Sequence, residues 1–282
     1  MTENKLTKNQ INLFKQYLTW EEKSASTVEK YIRDVRTFAI YAEGEDITKD
    51  IVMAYKKQLV TRGYAVRSIN SMLASINCLL KFWGKQECRV KTIKQQKQTY
   101  CSEEKELTKA EYIRLLNAAE RKKQLRVIMQ TICSTGIRVS ELQFFTVENI
   151  KEGEINISCK GKVRRILIPG KLRKILLDYA KKEKIYTGMI FMSRKGKRIN
   201  RSAIWAQMKS LCSIAGVNRS KVFPHNLRKL FAKTFYKIEK DIAKLADILG
   251  HSSIDTTRIY IMTTGAEHRQ KIERLGLVIK ET

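Results

Sequence analysis

Leu249-Gly250-His251-Ser252-Ser253-Ile254-Asp255-Thr256-Thr257-Arg258-Ile259-Tyr260 is the stretch from which the rest of the chain becomes readable. It follows DIAKLADIL (241–249), whose apolar spacing predicts a helix, and Gly250 is the residue type that stops one. Tyr260 comes nine positions after His251. A half-buried tyrosine is ordinarily a packing residue, so Tyr260 alone carries no chemistry. Its weight comes from three pieces upstream. These are Thr135-Gly136-Ile137-Arg138-Val139-Ser140-Glu141-Leu142, Cys159-Lys160-Gly161-Lys162, and Pro224-His225-Asn226-Leu227-Arg228.

Each piece has a physical reading of its own. Pro224 suits the first position of a helix, where a missing N–H is no loss. His225 and Arg228 then stand three apart on one face, at the helix end where the dipole favours an anion. Arg138 follows Gly136 at a helix break, where glycine permits a sharp turn. Its guanidinium is a rigid fork that fits two phosphate oxygens at once. Lys160 and Gly161 occupy the tip of an expected hairpin, from which a basic side chain can reach into a DNA groove. Taken singly, each piece could equally be a solvated charge or a polar turn. Together they gather two of the chain's three histidines with two arginines, a lysine and a tyrosine.

In that order the pieces resemble the tyrosine recombinase (phage integrase) family, and lie closest to its Xer-like bacterial members. Those read TG-[LI]-R-x-x-E-L, a lysine in a β-hairpin, H-x-L-R, and LGH followed by T-x-x-Y. The likeness covers the chain from about residue 107 onward, and more loosely the segment before it. It implies a mainly α protein: a helical, SAM-like core-binding domain, then a mostly helical α+β catalytic domain with a small antiparallel sheet, the DNA breaking-rejoining fold. It implies that Tyr260 attacks a backbone phosphorus to give a 3′-phosphotyrosyl link and a free 5′-hydroxyl. Arg138 and Arg228 would clamp the non-bridging oxygens, His225 would take the phenol proton, and His251 would add a hydrogen bond. Lys160 would protonate the leaving 5′-oxygen. The hairpin departs from the common Gly-Lys-Gly, so Lys162 stays open as the alternative lysine. Lys229 stands where relatives often carry a second histidine.

The resemblance also implies double-stranded DNA as substrate, in integration, excision, inversion or resolution. It implies a homo-tetramer on synapsed DNA, or a hetero-tetramer with a related recombinase, with the carboxy-terminal segment packing on a neighbouring protomer. No cofactor, metal or ATP is called for. Two other readings stay open at this stage: a type IB topoisomerase that nicks and reseals as a monomer, and a DNA-binding protein that has lost catalysis.

Outward from the motifs, most of the chain carries helical periodicity. KNQINLFKQYLTW (8–20) follows Thr7-x-x-Gln10, a capping-box pattern, and Ser26-Thr-Val-Glu29 reads as a second helix start. A third helix is expected over 48–60 and a fourth over SINSMLASINCLLKFW (68–83), stopping at Gly84. Residues 1–88 therefore read as a helical DNA-clamp domain. Thr27, Lys30 and Arg33 on one helix, and Arg67, Ser68 and Ser71 on another, are its candidate DNA contacts. Residues 89–106 lose the apolar stripe and read as a basic linker. The catalytic domain, 107–282, starts at a further capping box, Thr108-Lys-Ala-Glu111. Within it EINISCKG and KVRRILIP predict a hairpin, and MIFMS (189–193) a third strand.

Charge fits a nucleic-acid partner. Lysine and arginine number 56 against 28 acids, a formal net charge of +28. A surplus that large repels itself unless a polyanion is the working partner, and phosphate contacts release counterions. No apolar run is long enough to span a bilayer, and MTENKLTKNQ lacks the apolar stretch of a signal peptide, so a cytoplasmic protein without membrane contact is expected. The six cysteines form no Cys-x-x-Cys pair and read as reduced thiols.

Overall fold

The computed structural model describes residues 4–95, 106–159, 162–193, 195–263 and 265–277, with the side chains of 158–163 outside that description. The chain divides into two compact units, Met1–Lys97 and Gln98–Thr282.

Among the described residues the first unit holds four α-helices, α1 (Lys8–Trp20), α2 (Ala25–Tyr41), α3 (Lys49–Thr61) and α4 (Val66–Phe82). The capping box forms at α1: the Thr7 hydroxyl accepts from the Gln10 N–H while the Gln10 side chain accepts from the Thr7 N–H. Helix α2 is capped by Ser24 rather than Ser26, and its first turn closes through the Ser24 carbonyl to Thr27 and Val28. Phe14, Leu18 and Val35 bury one side of α4, and Phe38, Val52 and Leu59 the other. A charged staple joins α2 to α4. Asp34, 4% exposed, pairs with Lys30 at 2.8 Å and accepts from the Ser75 hydroxyl at 3.0 Å. Part of the segment assigned to the linker is packed instead. The side chains of Asn77 and Asn70 each exchange paired hydrogen bonds with the backbone at Val90 and Ile93, so the chain lies along α4 to at least Ile93.

The second unit begins with α5 (Lys109–Ala118), whose Thr108–Glu111 capping box forms in both directions. Then come α6 (Lys123–Thr135), a 3-10 turn (Val139–Phe144) and α7 (Val147–Glu152). Strands β1 (Glu154–Cys159) and β2 (Lys162–Leu167) pair antiparallel, with Ile155 opposite Ile166 and Ile157 opposite Arg164. The tip, Lys160-Gly161, lies outside the described residues. Helices α8 (Gly170–Lys182), α9 (Arg201–Lys209), α10 (Cys212–Ala215), α11 (Pro224–Glu239), α12 (Ile242–Leu249), α13 (Ile254–Ile261) and α14 (Gly265–Glu273) complete the unit. Ile128, Met129 and Ile132 of α6 lie fully buried at the centre of the main core.

The expected third strand does not form. Met189 and Met192 make single isolated bridges, to Thr146 and Arg198. Ile190 and Phe191 are buried, but their neighbour is the short segment between the 3-10 turn and α7, which offers the Phe145 carbonyl and no continuing ladder. The apolar run reports burial rather than pairing. Among the described residues no helix is long and apolar enough to cross a membrane.

Candidate active site

Two left-handed glycines bring the motif pieces together. Helix α6 ends at Gly136, φ +63°, and a Cβ there would lie 2.4 Å from Phe231 of α11. No other residue lets α6 turn against α11 so closely. The turn delivers Arg138 as the residue preceding the 3-10 turn, its backbone N–H donating to Glu141 Oε2 at 2.7 Å. Helix α12 ends at Gly250, φ +62°, where a Cβ would meet Arg164 at 2.6 Å. That ending delivers His251, and the Ser253-capped α13 delivers Tyr260.

The C-terminal carbonyls of α12, the negative pole of that helix, collect guanidinium groups. Arg228 is 2% exposed, donates to the carbonyls of Gly136 and Leu249, and lies 2.9 Å from His251 Nε2. Arg138, its side chain 44% exposed, donates to Glu141 at 3.2 Å and to the Gly250 carbonyl at 3.2 Å. Arg164 donates to the Leu249 carbonyl and pairs with Glu141 at 3.4 Å. Because a guanidinium has donors only, His251 Nε2 must accept. The His251 proton therefore sits on Nδ1, 2.9 Å from the Thr257 hydroxyl.

Tyr260 is 7% exposed and packs on Ala232, Leu245 and Leu249. Its ring contacts two imidazoles, with the His225 and His251 ring centroids each 5.1 Å away. Beside it opens a cavity of about 410 Å³ whose wall includes Arg138, Ser140, Arg201, His225, Arg228 and Tyr260. Four guanidiniums, of Arg138, Arg164, Arg201 and Arg228, against the carboxylate of Glu141 leave this corner strongly positive among the described residues. Partial desolvation, and then the charges of Arg228 and Arg201, hold His225 below its usual pKa. Burial and then Arg228 and Arg138 push His251 down to about 4. Burial and then Arg138 push Arg228 down to about 10, against the opposing influence of the Tyr260 phenol. Both imidazoles are thus neutral at pH 7. The corner can receive an anion, and it places a neutral base beside a phenol.

Five of the six expected catalytic residues converge here: Arg138, His225, Arg228, His251 and Tyr260. Lys160 lies outside the described residues, as does the side chain of Lys162. Lys229, in place of a second histidine, pairs with Glu106 at 2.6 Å. Of the expected DNA contacts, Lys30 is spent on the Asp34 staple and on the Ser71 carbonyl. Thr27 shares its hydroxyl with Ser24 at 2.8 Å. Arg33, Arg67, Ser68 and Ser71 are exposed. Four residues at the site were not singled out from the sequence: Glu141, Arg164, Arg201 and Thr257. Arg164 had a readable signal, being a charge at an inward position of a strand whose facing partner is Ile157.

Comparison with known proteins accords with this arrangement. Residues 105–267 match the phage integrase family, and residues 11–87 match the phage integrase N-terminal SAM-like domain. The chain is 30% identical to the tyrosine recombinase XerA of Pyrococcus furiosus, over 99% of this chain and 98% of that one. It is 26% identical to the tyrosine recombinase XerC of Roseiflexus castenholzii, over 89% and 88% of the two chains. Among solved structures, a lambda integrase (75–356) dimer bound to a COC′ core site superposes with a TM-score of 0.73 at 18% identity, covering 92% of this chain and 96% of that one. XerH bound to its difH substrate superposes with a TM-score of 0.70 at 18% identity, covering 97% and 85%. At those identities the superpositions speak for the fold, while the sequence matches span both units of the chain. The chain belongs to the phage integrase family, with that family's SAM-like domain ahead of its catalytic unit.

Proposed function

We propose that this chain is a site-specific DNA recombinase that cuts and rejoins strands through a phosphotyrosyl link at Tyr260. The observation that carries this reading is the phenol in contact with two neutral imidazoles on the wall of a cavity where Arg138 and Arg228 meet. A DNA phosphate entering that cavity replaces backbone carbonyls as acceptor for the two guanidiniums, and its developing charge is met by fixed donors. The Tyr260 oxygen forms a bond to phosphorus as the bond to the 5′-oxygen breaks. The phenol proton passes to His225, and Lys160 of the hairpin supplies the proton for the departing 5′-oxygen. His251 Nε2, facing Arg228 in the free protein, gains a proton-donating role only when the bound anion raises its pKa. Attack by a 5′-hydroxyl from another strand reverses the step and rejoins the DNA, with the bond energy kept in the phosphotyrosine.

Double-stranded DNA is the substrate, and the charge of +28 supplies the phosphate contacts that position it. The exposed Arg33, Arg67, Ser68 and Ser71 of the first unit belong to that positioning set. The relatives matched are recombinases, and a lambda integrase is known as a tetramer on a Holliday junction. We assign the same tetrameric synapsis here, with Ile272, Leu275 and Leu277, exposed at the end of the chain, seated on a neighbouring protomer. A substrate of genomic DNA places the work in the cytoplasm. The test uses nicked suicide duplexes carrying a binding site selected by the purified protein from a random duplex pool. Wild type traps as a denaturant-resistant adduct, and Tyr260→Phe gives none. An adduct formed by Tyr260→Phe removes Tyr260 as nucleophile.

A further inference from the structure

Among the described residues, Arg164 is the guanidinium of the site that does not line the cavity. It stands on the inward face of β2, opposite Ile157 and two positions before Ile166, with its side chain 9% exposed. Gly250 closes over it so tightly that a Cβ there would lie 2.6 Å from its Cδ. Its Nη1 holds the Leu249 carbonyl and its Nη2 faces Glu141 at 3.4 Å, while Nε and Nη2 have no hydrogen-bond partner. Both groups it engages are also engaged by the arginines that meet the phosphate: Leu249 by Arg228, Glu141 by Arg138.

We propose that Arg164 is a positioning residue that occupies Glu141 and the end of α12, so that Arg138 and Arg228 stay available to the DNA phosphate. Among the described residues, Glu141 is the single carboxylate paired with Arg138 and Arg164. Without Arg164 the Glu141 Oε2 keeps only the Arg138 backbone N–H, the Arg138 guanidinium is the one cation left to meet the carboxylate charge, and it is drawn from the cavity onto a buried anion. The Leu249 carbonyl likewise has only Arg228. The strand thereby sets how much positive charge the cavity shows, without touching the substrate. Its charge also helps to keep His251 neutral.

This inference rests on the strand-transfer reading above. Its test compares wild type with Arg164→Met, Arg164→Lys and the double variant Glu141→Gln/Arg164→Met, on the same nicked duplexes at saturating protein. We expect Arg164→Met to cut roughly 10- to 100-fold more slowly, the loss typical of a misplaced reacting geometry. Its DNA affinity stays within about twofold of wild type, since phosphate contacts elsewhere dominate affinity. Arg164→Lys recovers part of the rate by restoring the charge. The double variant cuts faster than Arg164→Met, because the carboxylate that captures Arg138 is gone. The alkaline limb of the rate profile moves to higher pH in Arg164→Met, because removing a positive charge beside His251 favours the protonated imidazole that donates to the phosphate. Equal rates for Arg164→Met and wild type overturn the inference. So does a loss that follows melting temperature alone, unmoved in pH profile and unrescued in the double variant. A wild-type chain that forms no adduct overturns the recombinase reading beneath it, a result distinct from either.

Discussion

The two units of this chain each bury charge, and they do it to opposite ends. In the first unit Asp34 meets Lys30 and the Ser75 hydroxyl between α2 and α4, one acid against one base, with Arg33 adding a longer contact. In the second, Glu141 faces two guanidiniums and a third lies beyond, on carbonyls at the end of α12. The first cluster is balanced and holds two helices together. The second carries excess positive charge around a cavity, and the buried Nε of Arg228, on the cavity wall, has no hydrogen-bond partner. A buried polar group whose partners all come from its own fold is structural. One whose partners fall short in a single sign points to a ligand of the other sign.

That contrast can be broken by substitution, and the largest effect belongs to the unbalanced cluster. Arg228→Ala is expected to slow single-turnover cleavage by roughly 1,000-fold or more, beyond the loss of a single fixed donor. It should also lower stability, since the carbonyls of Gly136 and Leu249 lose a buried donor. Arg138→Ala should slow cleavage by about 100- to 1,000-fold with little change in melting, because its side chain is 44% exposed. If both variants lose stability and rate in step, the distinction between the two clusters fails.

Asp34→Ala should give the reverse pattern. It removes the acid from a nearly buried pair whose lysine is partly solvated, at an expected cost of about 1–3 kcal/mol in denaturant unfolding. Cleavage by the folded variant at saturating DNA should stay near wild type. A cleavage defect without a stability loss would move this staple into the functional class.

The smallest effect is one of pH. His251 titrates near 4 in the folded chain against 6.5 unperturbed, so protonation favours the unfolded state. Its contribution to stability is complete above pH 6.5 and is lost as pH falls from there through about 4. The melting temperature of wild type should decline over that window, and His251→Gln should flatten the decline. An unchanged slope in the variant would show that His251 is not held neutral.

Local signals were the readable ones. Thr7–Gln10 and Thr108–Glu111 close as capping boxes because the motif and its hydrogen bonds lie within one turn. Ser24 and Ser26 compete for one cap two residues apart, and the sequence offers no means of choosing between them. The run at 189–193 was apolar because it is buried, and the absence of a pairing partner depended on a segment some 40 residues upstream. The catalytic constellation was legible as a motif series, but each residue's partners were not. Glu141 sat inside a quoted motif without a role, because what gives it one is Arg164 on a strand and Arg138 on a turn. Arg164 needed the register opposite Ile157 before its charge stood out as misplaced.

The carbonyls that end α12 have a consequence for selectivity. In the free protein they already hold the N–H groups that a phosphate would claim, so an arriving anion trades one set of acceptors for another. The net gain at the site is a difference, smaller than the contacts themselves suggest. A lone phosphate or nucleotide, with nothing else to bind, gains too little from that trade to stay. A duplex gripped along its length supplies the remainder from contacts elsewhere. The helix end thus acts as a threshold, keeping a strongly basic pocket open in a cell full of small anions.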